Sequence, residues 1–296
     1  MVRGAFALVA DLCYKLTLVE KPIGIFDSGI GGLTVLKEAL RFVPEESFIY
    51  FGDTARVPYG GKSKETITRF SIENILFLQS FDIKLALVAC HTASSLALKD
   101  LQERFSLPIL GVVEPGARKA QAVTRNGKIG VIGTRATITS GAYESALKDR
   151  DRSLQVFSAA CPLFVPFVEE GWVEGDIIRD IALFYLEPLK LIGVDTLILG
   201  CTHYPLLAGV IQEVMTGSVV LVNPAEETAS ETRALLERMR IGASRGGRGA
   251  EPKFFVSDEP EHFRKQGERF LNQPLRSVVR VPGQAYFRDM EKRYVG

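Results

Sequence analysis

Two stretches of this chain share one design. At 87–97 (LVACHTASSLA) and at 197–207 (LILGCTHYPLL), an apolar run ends at a cysteine. A threonine and a histidine stand beside each cysteine, and a segment able to start a helix follows. A cysteine at the carboxyl end of a buried strand, just ahead of free helix N–H groups, sits where open α/β sheets hold their ligands. The helix N-terminus also favours a thiolate over a thiol. Cys90 and Cys201 both meet this condition, so the fold must provide the same strand-to-helix crossing twice.

The rest of the chain fits that demand. Strands read at 22–26, 48–51, 85–89, 108–112, 154–158, 196–200, 219–222, 254–257 and 277–281, and 127–134 reads as a strand with its following loop. Helices read at 34–41, 63–79, 94–105, 139–150, 176–191, 206–215, 223–239 and 260–271. Residues 161–171, with two prolines, read as a loop or broken helix, and Pro188 marks a kink or an end. Residues 240–253, rich in Gly and Arg, suit a mobile exposed loop; 244–249 (SRGGRG) reads as solvated rather than as a site for an anionic partner. Alternating strands and helices mean parallel sheets.

There is also an internal echo: KPIGIF at 21–26 resembles GKIGVI at 127–132, and each precedes its cysteine by a similar distance, 67 residues from Ile23 to Cys90 and 72 from Ile129 to Cys201. The expectation is an α/β protein of two pseudo-symmetric lobes, each a mainly parallel sheet flanked by helices, with a small ligand in the cleft between them. Residues 22–114 together with 226–296 would form the lobe carrying Cys90. Residues 115–225 would form the lobe carrying Cys201, and 1–21 an N-terminal extension.

Composition removes several alternatives. With 296 residues, 46% hydrophobic and 24% charged, the chain can bury a sizeable core. A formal net charge of +1 gives no electrostatic footprint for nucleic acid. No apolar run reaches about 18 residues, so no membrane span is expected. The apolar start is interrupted by Asp11 and Lys15 and has no clear small-residue cleavage site, so it reads as an extension rather than a signal peptide. The four cysteines, Cys13, Cys90, Cys161 and Cys201, contain no C-x-x-C pair. That suits the reducing cytoplasm. Cys13 and Cys161 read as small core residues.

Two sulfurs facing one ligand suit a particular chemistry. A carbon acid flanked by two bases loses a proton from one face and gains one on the other, which inverts the stereocentre. Cysteine, with a reference pKa of ~8.5, reaches both thiol and thiolate near neutrality. His203, two residues from Cys201, and Asp27, ending the first strand, are candidate orienting or relaying partners. Zinc binding by Cys90, His91, Cys201 and His203 lacks the usual paired-ligand spacing. The glycine loop at 29–32 fails the G-x-G-x-x-G test for a dinucleotide, because its sixth position is Thr34. The competing reading of Asp27 is a plain helix cap.

At these residues the chain resembles the glutamate racemases. The blocks that carry the resemblance are Asp27-Ser28-Gly29-Ile30-Gly31-Gly32-Leu33, Tyr50-Phe51-Gly52-Asp53 with Pro58-Tyr59-Gly60, Ala89-Cys90 with Thr92-Ala93-Ser94, and Gly200-Cys201-Thr202-His203-Tyr204-Pro205-Leu206. Cys161-Pro162-Leu163-Phe164-Val165-Pro166 with Glu169-Glu170-Gly171 matches as well. Together they cover about 22–225 in order. The resemblance implies cofactor-independent and metal-free interconversion of L- and D-glutamate, supplying D-glutamate for peptidoglycan. It implies that Cys90 takes the proton from the D-isomer and Cys201 from the L-isomer. Asp27 would assist the first, and His203 with Glu170 (Glu169 being the other choice) the second.

By the same resemblance Asp27, Ser28, Tyr59, Gly60, His91, Thr92, Thr134, Thr202 and His203 would hold the ammonium and carboxylates. The nearest alternatives are an aspartate racemase and a non-catalytic amino-acid-binding protein. Oligomeric state is open, a homodimer included. One residue departs from the family pattern: His91 stands where asparagine is usual. An imidazole with an ordinary pKa near ~6.5 predicts an unusual loss of activity at mildly acid pH.

Overall fold

The structure, a computed structural model, describes residues 18–244 and 246–281. Cys13, most of the N-terminal extension, and Arg245 of the Arg-Gly stretch lie outside the described residues.

In chain order the elements are β1 (Ile23–Asp27), α1 (Leu33–Phe42), β2 (Phe48–Gly52), α2 (Lys64–Gln79), β3 (Leu85–Val88), α3 (His91–Leu96), α4 (Leu98–Arg104) and β4 (Ile109–Gly111). There follow α5 (Val113–Val123), β5 (Lys128–Gly133), α6 (Arg135–Thr139), α7 (Ala142–Arg150), β6 (Gln155–Ala160), α8 (Phe164–Glu169), α9 (Asp176–Ile192) and β7 (Thr196–Gly200). The chain continues through α10 (Ala208–Met215), β8 (Val220–Val222), α11 (Pro224–Met239), β9 (Lys253–Val256), α12 (Pro260–Leu271) and β10 (Val278–Arg280).

Six strands form one sheet in the order β10-β9-β2-β1-β3-β4, and four form another in the order β6-β5-β7-β8. Every pairing in both is parallel. The segments β2-β1-β3-β4 and β6-β5-β7-β8 have the same topology. In each, the first strand of the unit lies inside, its successor on one flank, and the third and fourth strands on the other. The echo between 21–26 and 127–132 is therefore an echo of topology. β1, β2 and β7 are buried along their whole length. Helices cover both faces of such strands, which is why they read as unbroken apolar runs. One apolar cluster joins the two sheets, through Ile25, Leu87 and Leu199, with Tyr204 and Phe263 from the segments packed on them. After the second sheet, α11 packs against α1 and α5, and β9 then extends the first sheet beside β2.

The structure corrects several elements. The helix expected at 94–105 starts at His91, directly after Cys90, and breaks at Ala97 into α3 and α4. The start moves because Cys90 itself takes the N-cap place, extended at φ −66° and ψ 119°. The helix expected at 139–150 is two helices, α6 and α7, separated at Gly141, whose φ of 65° is left-handed. α6 begins early because the Thr134 side chain accepts the Thr137 N–H. α5, a stretch given no element from sequence, carries Pro115 and Gly116; the proline falls in the first turn, where a missing N–H costs nothing. Pro188 does not end α9, which runs to Ile192 and stops at Gly193 in the left-handed region.

The loop after α11 is not simply exposed. Ile241 is buried, Ala243 N–H donates to the Glu46 carboxylate and Gly249 N–H to the Pro44 carbonyl. Lys84 anchors the same region: its buried ammonium pairs with Glu46 at 2.6 Å and donates to the carbonyls of Val19 and Ile241.

Candidate active site

The two sheets present their switch points to one cleft. From β1 the chain departs to β2 on one side and returns at β3 on the other, which leaves Asp27 and Cys90 at neighbouring strand ends. From β5 it departs to β6 and returns at β7, which leaves Thr134 and Cys201 in the matching places. Crevices beyond the carboxyl ends of parallel strands at such points are the ligand sites of open sheets. Here a cavity of about 500 Å³ is lined by Ser28, Tyr59, Gly60, Cys90, His91, Thr92, Thr134, Cys201, Thr202 and His203. That volume suits a small molecule.

Two proposed residues stand differently. Asp27 is buried behind the cavity wall, with Oδ2 accepting the Gly29 N–H at 2.9 Å. Glu170 does not line the cavity, whereas Glu169 does and receives a hydrogen bond from His203 Nε2 at 3.0 Å. Pro162, Val165 and Pro166, from the block that begins at Cys161, also line it, as do Val57 and Arg135, which carried no signal in the sequence beyond lying next to the motifs.

The lobes touch closely around this cavity. A Cβ on Gly31 would lie 2.2 Å from Thr202 Oγ1 and 2.5 Å from His203 Nδ1. Thr34 Oγ1 donates to the Thr202 carbonyl at 3.0 Å, and Thr92 Oγ1 lies 3.0 Å from Thr134 Oγ1. Small and hydroxyl-bearing residues at 29–34 and 92 are thus what lets the second lobe come this near.

The two sulfurs have different surroundings. Burial, and then the Asp27 carboxylate, push the Cys90 thiol up to about 12. On the other side His203 Nδ1 lies 3.8 Å from Cys201 Sγ. Burial alone would lower the His203 pKa, but its bonds to Cys201 and Glu169 outweigh that and hold it at about 10. His203 is therefore an imidazolium at neutral pH, and it lies directly beside the Cys201 sulfur. Asp27 is raised by burial, partly offset by His203 and by N–H groups of the 28–32 loop. Cys90, held as a thiol, and Cys201, with an imidazolium beside it, thus line the same cavity.

His91 behaves unlike the sequence-based expectation. Burial, and then the charge of His203, push it down to about 3. It stays neutral throughout the mildly acid range, so the expected acid sensitivity has no origin in its titration.

Tyr59 is fixed from behind. Its hydroxyl donates to Asp53 and accepts from Asn74 Nδ2 at 3.2 Å. Asp53 is also held by Arg56 Nε at 2.6 Å and by Ser257 Oγ at 3.0 Å. Arg56 in turn reaches Glu73 and Asn74. The sequence motif pointed to Asp53 and Tyr59; Asn74 and Glu73, on the distant α2, became partners only through packing.

Among the described residues no group of three or more His, Cys, Asp or Glu side chains is gathered as a metal site, and no helix is long and apolar enough to cross a membrane. Comparison with known proteins adds the following. The family model described as Asp/Glu/Hydantoin racemase matches residues 32–232. A glutamate racemase of Geobacter metallireducens is 53% identical over 264 residues, 88% of this chain and 96% of that protein. The crystal structure of glutamate racemase isoform RacE1 from Bacillus anthracis superposes with a TM-score of 0.85 at 42% identity, covering 88% of this chain and 97% of that one. That of a Francisella tularensis glutamate racemase in complex with D-glutamate gives 0.84 at 35% identity, covering 90% and 100%.

Proposed function

The chain belongs to the Asp/Glu/Hydantoin racemase family, and from that premise we propose that it interconverts L- and D-glutamate by proton transfer between two thiols. The enzyme is an isomerase acting on amino acids. The observation that carries the mechanism is the meeting of Cys90 and Cys201, each at a switch point of its own sheet, on the wall of one small cavity. L-Glutamate would enter with its Cα–H towards Cys201. The Cys201 thiolate, supported by imidazolium His203, takes that proton. The Cys90 thiol delivers its own proton to the opposite face, and D-glutamate leaves. The reverse reaction exchanges the roles.

Asp27, close enough to Cys90 to oppose its ionisation, assists the thiol side. Glu169, rather than Glu170, holds His203. Ser28, Tyr59, Gly60, His91, Thr92, Thr134, Thr202 and His203 would bind the ammonium and carboxylates. The lobe boundaries proposed from sequence, 22–114 with 226–296 against 115–225, would put one thiol in each lobe. D-glutamate made in this way would serve peptidoglycan synthesis in the cytoplasm.

The test is exchange in D₂O. The full chain, incubated with either isomer, should wash deuterium into Cα as circular dichroism decays to zero. Aspartate, run alongside, should react far more slowly. Binding without exchange would overturn the reading in favour of an amino-acid-binding protein, and preferential turnover of aspartate would move the substrate.

A further inference from the structure

His91 and Tyr143 carry polar atoms that the catalytic reading leaves unused. Both side chains are 3% exposed. Their rings lie roughly parallel, at 28°, with centroids 6.2 Å apart. His91 Nδ1, His91 Nε2 and the Tyr143 hydroxyl are all buried without a hydrogen-bond partner. A buried polar group left this way costs ~1–3 kcal/mol, so three of them together mark a place meant to be completed. His91 also lines the cavity, whereas Tyr143 does not.

Tyr143 comes from the other side of the cleft. It lies in the first turn of α7 and packs beside β7, where a Cβ on Gly200 would meet its ring at 3.3 Å. Its hydroxyl faces α5, 3.4 Å from the place of a Cβ on Gly116. The pair therefore joins the helix that follows Cys90 to the lobe that holds Cys201.

We propose that Tyr143 is a positioning residue for His91: its hydroxyl satisfies one ring nitrogen through one bridging water molecule, so that the other nitrogen presents its N–H to a substrate carboxylate. A neutral imidazole carries one donor and one acceptor nitrogen, and whichever nitrogen accepts fixes the other as donor. Tyrosine is a suitable partner because its pKa, raised by burial, keeps the hydroxyl protonated as a donor. The asparagine usual in glutamate racemases can rotate its own amide to offer a donor. Histidine needs its tautomer chosen for it, and Tyr143 chooses it.

The inference rests on the racemase reading, and its test separates the two. The wild-type chain is first shown to racemise glutamate; failure there concerns that reading alone. KM and kcat are then measured for Tyr143→Phe, His91→Ala and the double variant, with thermal melts as folding controls. Tyr143→Phe should raise KM for glutamate about five-fold, the factor one neutral hydrogen bond supplies, with little change in kcat. In the His91→Ala background the same change should have no further effect on KM. The ¹⁵N spectrum of the three histidines supplies a second readout: His91 should show one neutral tautomer in the wild type and a mixture in Tyr143→Phe. An equal KM effect in both backgrounds, an unchanged KM, or an unchanged tautomer signal would overturn the proposal.

Discussion

Replacing Glu169 by glutamine tests the asymmetry between the two thiols directly. Glu169 Oε1 accepts a charge-assisted bond from His203 Nε2 at 3.0 Å. The His203 side chain is 7% exposed but that of Glu169 is 41% exposed, so solvent screens the pair. A bond to a charged group is worth ~1.5–3 kcal/mol when protected; exposure brings this towards ~1 kcal/mol. By that amount the neutral amide of the Glu169→Gln variant would favour imidazolium less, and the His203 pKa should fall by about 0.7 units from its value of about 10.

The sign follows from the partnership. Imidazolium His203 supports Cys201, and that support is complete well below the His203 pKa and lost as pH rises through it. Lowering the pKa therefore moves the alkaline limb of the rate profile to lower pH. At neutral pH, well below even the lowered pKa, His203 keeps its charge and kcat/KM should change little. On the alkaline limb the loss must be equal for the two isomers, because enantiomers have equal free energy and the ratio of their kcat/KM values is fixed at unity. The assay is the decay of optical activity from each isomer between pH 6 and 11 for the wild type, Glu169→Gln and Glu170→Gln. An unmoved alkaline limb in Glu169→Gln, or a shifted one in Glu170→Gln, would refute the pairing of Glu169 with His203.

Cys90→Ala and Cys201→Ala should each reduce racemisation by at least about 10³-fold with an unchanged melting temperature, read by polarimetry and calorimetry; near-native turnover in either removes the two-base mechanism. His91→Asn should leave the rate profile between pH 5 and 8 in the same position as that of the wild type, because His91 is pushed down to about 3 and is neutral across this range. Gly31→Ala should destabilise the fold by ~1–3 kcal/mol and depress activity, since the added methyl falls on Thr202 and His203; a denaturant titration measures it. Lys84→Met should cost ~3–5 kcal/mol by leaving Glu46 buried without its cation, a loss seen in thermal melts while KM stays close to native.

The sequence alone carried the outline of this protein. Apolar strand runs are dictated by burial on both sheet faces, so β1, β3, β5 and β7 were legible, as was the recurrence that became the shared topology of the two sheets. The cysteines were legible because they stand where such strands end. What remained hidden depends on distance along the chain. Nothing local distinguishes Glu169 from Glu170; only the packing of α8 against the turn after β7 decides which carboxylate meets His203. His91 looks from sequence like an ordinary imidazole, and enclosure between the lobes is what removes its charge. The different surroundings of two similar thiols have the same origin. Residue types and strand ends are local properties, whereas desolvation and charge pairing arise only when separate segments are brought together.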